Sequence, residues 1–299
     1  MSGFSAGWLA QREPFDRAAR ASAALAFDWP GLASRLRDAG QAAITVLDLG
    51  CGTGASLREI APRLGGAQRW RLVDHDAGLL AALPAALTWW AHAQGWQAVQ
   101  EGAGLRIDGG GLRVDVEWVR ADLATGFDTV PFDAARLVTC SALLDLVSPA
   151  WLEALVARCA DVGAAMCWAL SVDGRIAWAD ADADDALVHD AFRAHQRRDK
   201  GFGPALGDAA VGVARRGLAA AAYRLDAAES DWVIDGKRGA SDCAMLRALI
   251  DGMAQAAREQ CPMHAMRIDG WRTRRHAALD TTGLRIGHVD LLGWPASNG

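Results

Sequence analysis

The run Asp48-Leu49-Gly50-Cys51-Gly52-Thr53-Gly54 places a carboxylate two residues ahead of the first of three glycines spaced two apart. The apolar residues leading into it read as a buried strand, and Ala55 to Leu64 reads as a helix, so the glycines fall in a strand-to-helix turn. Glycines there let the backbone approach a ligand closely, and the helix start offers unpaired N–H groups and the positive end of its dipole. This is chemistry for holding a nucleotide-type ligand.

The spacing says which kind. A dinucleotide fingerprint requires G-x-G-x-x-G, and here the third glycine comes one residue early while Asp48 precedes the first. The D-x-G-x-G-x-G arrangement resembles motif I of the class I S-adenosylmethionine-dependent methyltransferases. The resemblance implies that Asp48 and the turn from Gly50 through Cys51, Gly52, Thr53 and Gly54 meet the methionine part of the cofactor. It also implies a ribose-binding acid at the end of the next strand, and Arg71-Leu72-Val73-Asp74 supplies one twenty residues past Gly54. His75 follows, with two readings open: adenosine-site lining or a surface loop histidine. Further on, Val119-Arg120-Ala121-Asp122-Leu123 stands where the family carries its adenine-binding acid, which assigns Asp122 and Leu123 to that end. Cys140-Ser141-Ala142-Leu143-Leu144-Asp145-Leu146 occupies the place of motif IV, bordering the transferring methyl group. The Asn/Asp-Pro-Pro-aromatic tetrad of enzymes acting on DNA or protein nitrogen is absent from it.

Methyl transfer from a sulfonium needs no dedicated nucleophile, so no triad is expected. If the acceptor must lose a proton, Asp145, His189 and His195 are the candidate bases, each with a structural role as its alternative. Arg12, Asp16 and Arg20 recur every fourth residue and share a helix face; Arg20 either pairs with the cofactor carboxylate or belongs to a solvated stripe. Arg197 and Arg198, in a basic glycine-punctuated segment, are candidates for holding a carboxylate or phosphate on the acceptor, against the alternative of a helix end complementing its own dipole. Asp180, Asp182, Asp184 and Asp185 invite a metal reading, but aspartates ahead of a helix over 186–196 act more simply as cap and dipole partners, and no metal is expected.

These residues need a scaffold. Strands are expected at Thr45 to Leu49, Trp70 to Asp74, Leu112 to Val119, Asp133 to Thr139 and Ala164 to Val172, with Gly104 to Ile107 joined to the third through a glycine turn as a hairpin. Leu218 to Tyr223 with Ser230 to Ile234 suggests a sixth strand and Leu284 to Trp294 a seventh. Helices are expected over much of residues 1–40, near Leu79 to Trp90 with an interruption at Pro84, at Trp151 to Cys159, and over Ser241 to Glu259. The fold class that follows is α/β: a Rossmann-like, mostly parallel seven-stranded sheet with an antiparallel last strand. The resemblance places that last strand between the fifth and sixth. One domain over 1–299 is expected, with 1–40 as a helical cover and 173–217 as a substrate lid insertion.

Composition bounds the rest. Hydrophobic content of 52% permits a large core in 299 residues, and a net charge of −5 argues against a nucleic-acid partner. No apolar run reaches the length of a membrane span and the N-terminus lacks a signal pattern, so the expected location is cytoplasmic. The six cysteines form no C-x-x-C pair and read as free thiols. The expected function is transfer of a methyl group from S-adenosylmethionine, leaving S-adenosylhomocysteine, to a small and possibly anionic molecule. Two other readings stand beside it: a catalytically inactive cofactor-binding partner subunit, and a nicotinamide-dependent dehydrogenase, which the glycine spacing disfavours.

Overall fold

The computed structural model describes residues 5–37 and 43–296. Two helices come first, α1 (Ala6–Ala24) and α2 (Trp29–Arg37), and the glycine turn joins β1 (Ile44–Leu49) to α3 (Ala55–Leu64). Next come β2 (Gly66–Asp74), α4 (Ala77–Ala93), β3 (Gln97–Glu101), β4 (Gly104–Gly109) and β5 (Leu112–Arg120). The second half runs β6 (Leu137–Ser141), α5 (Pro149–Asp161), β7 (Ala165–Trp178), α6 (Asp185–Gln196), α7 (Ala210–Ala220), β8 (Tyr223–Glu229) and β9 (Trp232–Asp235). It closes with α8 (Ala240–Gln260), α9 (Ala265–Ala277) and β10 (Gly283–Pro295).

Among the described residues the strands make one sheet in the order β3-β4-β5-β2-β1-β6-β7-β10-β8, with β9 paired to β10. Within it, β5-β2-β1-β6-β7-β10-β8 is the expected seven-stranded arrangement. The pairs β1–β2, β1–β6, β2–β5 and β6–β7 are parallel, and β10 runs antiparallel between β7 and β8. Three strands are additional. β3 and β4 extend the edge beyond β5, with Gly110 and Gly111 at φ 59° and 77° in the turn from β4 to β5, and β9 pairs with the start of β10.

Every residue of β1 is buried, as a central parallel strand covered on both faces must be. On one face Leu47, Leu49, Val138 and Trp168 pack under α5 and α7; on the other Val46, Trp70 and Leu72 pack under α2, α3 and α4. Burying one such aliphatic side chain contributes on the order of 2 kcal/mol. A third cluster joins Phe15 and Ala19 of α1 to Leu170 of β7, Trp232 of β9 and the helices α6, α8 and α9. This helical layer sits on the long outer parts of β7 and β10.

Several sequence expectations shift. Of Leu218 to Tyr223, residues 218–220 end α7 and only Tyr223 is strand: Val211, Ala214 and Leu218 fall at helical spacing and face the core, and the chain turns at Ala222, φ 57°, before β8 begins. The fourth strand starts at Leu137 instead of Asp133, because Ala134 sits at φ 58° and breaks the extended run. Strand β7 runs on to Trp178, and α9, β3 and the part of α7 before Leu218 lie where no element was expected. Pro84 neither splits nor ends α4. Residues 1–4 and 38–40 of the expected helical cover lie outside the described residues.

Candidate cofactor site

The glycine turn sits at the carboxyl end of β1, where α/β sheets place their ligands. Gly50, Gly52 and Gly54 adopt φ of 65°, 54° and 83°, the left-handed region that side chains resist. Two of them are also crowded: a Cβ on Gly52 would stand 3.3 Å from Leu9 of α1, and one on Gly54 3.0 Å from Leu87 of α4. Thr53 lies in the turn between them, half-buried. The Cys51 N–H donates to the Val73 carbonyl at 3.0 Å, tying the turn to the end of β2, while burial pushes the Cys51 thiol up and leaves it a packing group. Helix α3 begins at Ala55 with no side-chain cap, so its first N–H groups are open to the turn.

Asp74 is buried at the end of β2 and is already part of this turn. Its Oδ2 accepts from the Gly52 N–H at 2.9 Å and its Oδ1 from the Asp76 N–H at 2.9 Å. A carboxylate has about four acceptor positions, so roughly two remain for a ligand. His75 is exposed, with Nδ1 3.4 Å from Asp74 Oδ1. At the end of β5, Asp122 is exposed and caps a 3-10 turn through a 2.9 Å bond from the Ala124 N–H, while Leu123 is buried and its carbonyl accepts from the Trp151 indole at 2.7 Å. Ser141 ends β6, half-buried.

Asp48 is the group in tension. It is buried, neither of its oxygens has a hydrogen-bond partner, and burial pushes its carboxyl up to about 7. The Arg20 guanidinium offsets that in part, as does the Ser56 hydroxyl, which stands close by without completing a hydrogen bond. Arg20 is itself buried, with Nη1 unpartnered, so the solvated-stripe alternative does not describe it. Its neighbours on the same helix face are equally engaged. Arg12 holds Asp16 through two bonds at 2.8 and 3.1 Å, and Asp16 accepts from the Trp232 indole at 2.9 Å. α1 is therefore packed down over the turn, with Glu13 paired to Arg58 of α3 at 2.8 Å.

Sequence reasoning passed over two participants. Leu9, which lies against Gly52, reads in the sequence only as one of the apolar residues near helical spacing in the N-terminal segment. Asp290 carries a signal: it is a lone acid in the apolar run Val289-Asp290-Leu291-Leu292. It is buried, accepts from the Leu170 N–H at 2.8 Å, and feels the Arg20 charge. That bond accompanies a left-handed Leu170, φ 53°, within β7, beside an equally unusual Ala142, φ 51°, just past the end of the adjacent β6.

The candidates from the second half of the chain separate. Asp145 lies in the loop leaving β6; the carbonyl of the same residue takes the Gly207 N–H at 3.0 Å, and its side-chain Oδ1 is buried without a partner. His189 lies under the helical layer, its Nε2 bonded to the Trp178 indole at 3.1 Å, and burial holds its pKa low. His195 stands 3.0 Å from Glu259 on α8, which also draws Arg198, while Arg197 pairs with Asp208 at 2.8 Å. The aspartates near α6 do not cap it: Asp184, at the cap position, makes no capping bond. Instead Asp182 and Asp184 bind Arg274, and Asp185 binds Arg275 and the Trp271 indole. No cluster of three or more metal-binding side chains occurs among the described residues.

No protein-family model matches the sequence, and no curated protein matches it. Solved structures do resemble the chain. The S-adenosylmethionine-dependent methyltransferase from Geobacter sulfurreducens in complex with S-adenosyl-L-homocysteine is 14% identical over 93% of this chain and 98% of its own, with a TM-score of 0.41. The precorrin-6y C5,15-methyltransferase from Geobacter metallireducens is 11% identical over 90% and 86%, with a TM-score of 0.41. The cyclopropane-fatty-acyl-phospholipid synthase-like protein from Lactobacillus casei is 14% identical over 97% and 94%, with a TM-score of 0.46. By its own sheet order, antiparallel last strand and glycine turn, the chain has the fold of the class I S-adenosylmethionine-dependent methyltransferases.

Proposed function

We propose that this protein transfers a methyl group from S-adenosylmethionine to a small-molecule acceptor. One observation supports it above the others: Asp48 and Arg20 are buried by the glycine turn with opposite charges that act on each other, and the Asp48 oxygens and Arg20 Nη1 have no hydrogen-bond partner among the described residues. Unpaired buried charges cost several kcal/mol each, so a fold keeps them where a ligand completes them. The amino-acid end of this cofactor carries an ammonium for Asp48 and a carboxylate for Arg20. Asp74 would accept from the ribose hydroxyls, Asp122 from the adenine amine, and the turn amides with the open start of α3 would face the polar atoms between. When bound, the sulfonium supplies a methyl group with a neutral thioether as leaving group. The protein's work is then to hold the acceptor in line and keep water out, and α1 with the helical layer is the material for that cover.

The acceptor is argued to be small because the motif IV position lacks the tetrad used on DNA and protein nitrogen. An anion held by Arg197 or Arg198 would have to displace Asp208 or Glu259. Thermal shift with S-adenosylmethionine, S-adenosylhomocysteine and NAD tests the cofactor assignment. Transfer of labelled methyl into a metabolite extract tests the enzyme. Stabilisation by the sulfur ligands without label transfer would favour the inactive partner subunit, and stabilisation by NAD alone would overturn both.

A further inference from the structure

We propose that Asp145 takes the proton from the incoming nucleophile, so that the methyl acceptor is a group that must lose one: a hydroxyl, a thiol or an ammonium. This rests on the methyl-transfer reading of the site. The loop from Ser141 to Asp145 lies against the glycine turn, since the Leu143 side chain stands 3.8 Å from where a Cβ on Gly50 would be. It is also held rigidly. Ala142 is fixed in a left-handed conformation with its N–H on the Ala169 carbonyl at 2.9 Å, and the Asp145 and Val147 carbonyls accept from Gly207 and Leu206 at 3.0 and 2.9 Å. Backbone strain kept by surrounding bonds gathers at reactive sites.

The Asp145 carboxyl projects from this loop with a buried, unpartnered Oδ1. Burial raises it to about 6, offset in part by its own peptide N–H and by the Arg12 guanidinium of α1. A carboxyl so placed is still mostly ionised near neutral pH and a much better proton acceptor than an exposed one. The other two candidate bases are occupied, His189 by Trp178 and His195 by Glu259. In the step, the acceptor's X–H proton passes to Asp145 and its electron pair stays on X. That atom bonds to the methyl carbon as the carbon–sulfur pair leaves with sulfur.

The test needs no knowledge of the acceptor. Sinefungin carries an amine where the cofactor carries its methyl-sulfonium, whereas S-adenosylhomocysteine has a neutral sulfur. Affinities for both are measured by calorimetry in the wild type, Asp145→Asn and Asp145→Ala. The wild type should prefer sinefungin, and the variants should lose about tenfold of that preference while binding S-adenosylhomocysteine within about twofold of wild type. Labelled-methyl transfer into the extract should fall at least about a hundredfold. An unchanged preference places Asp145 away from the transfer point, and loss of S-adenosylhomocysteine binding in both variants marks a structural role. A changed preference with undiminished transfer denies it the proton. Each of these overturns the proposal, and a wild type that binds neither ligand overturns the cofactor reading beneath it.

Discussion

On the proposed reading, the Asp48 carboxyl should make cofactor binding and folding respond to pH in opposite senses. In the free protein its pKa is raised to about 7 by burial, so at pH 6 only about one molecule in eleven carries the carboxylate that a ligand ammonium requires. The Kd for S-adenosylhomocysteine should therefore rise about tenfold, close to 1.4 kcal/mol, between pH 8 and pH 6, with about half a proton released per ligand bound at pH 7. Calorimetry in two buffers of different ionisation enthalpy reads both quantities. The stability sign runs the other way. A folded pKa above the unfolded value of 3.8 means that the contribution of Asp48 is fully present below about pH 4 and is lost as pH rises through 7. Asp48→Asn should thus raise the melting temperature of the free protein at pH 8, by a free energy of up to about 4 kcal/mol from the size of the shift, while weakening S-adenosylhomocysteine and flattening its pH dependence. A pH-independent Kd with no buffer-dependent heat, or a variant less stable than wild type at pH 8, would refute the assignment of this unpaired carboxylate to the ligand.

Three further outcomes are expected. Asp74→Asn should weaken S-adenosylhomocysteine by tenfold or more by titration, since it loses charge-assisted bonds to the ligand and loosens the Gly52 N–H that Asp74 holds; unchanged affinity would remove it from the site. Gly52→Val should abolish binding, because φ of 54° and the Leu9 methyl at 3.3 Å both exclude the side chain, with circular dichroism showing the sheet retained. Arg20→Met should weaken S-adenosylhomocysteine about tenfold yet leave 5′-methylthioadenosine, which lacks the amino-acid end, within about twofold in the same titration; equal losses would make Arg20 structural.

Local chemistry was enough to read the fold around the glycine turn. A glycine that must sit at positive φ and an apolar run of strand length each signal through their own neighbours, which is why β1, the turn and α3 follow from residues 46–64 alone, whereas Asp74 and Asp122 were singled out by the family resemblance. Alternation in 284–294 likewise marked the last strand. The misplaced elements are those whose local signal was weak. The alanine-rich end of α7 is a different case: its local propensity favours helix, the strand expected from Leu218 went against it, and Val211, Ala214 and Leu218 pack against the core at helical spacing.

What tertiary structure alone decided is which charges are free. Sequence alone does not say which of the guanidinium groups Arg20, Arg197 and Arg198, or which of the carboxylates Asp48, Asp145, Asp182 and Asp184, find partners within the fold. Folding brings Glu259 from α8 to Arg198 and Arg274 from α9 to Asp182 and Asp184, neutralising them with partners 61 to 92 residues away. It leaves Asp48, Asp145 and Arg20 with buried atoms that find no hydrogen-bond partner among the described residues. A charge becomes functional through the partner and the solvent it lacks, and both are set by chain segments too distant in sequence for any local pattern to record.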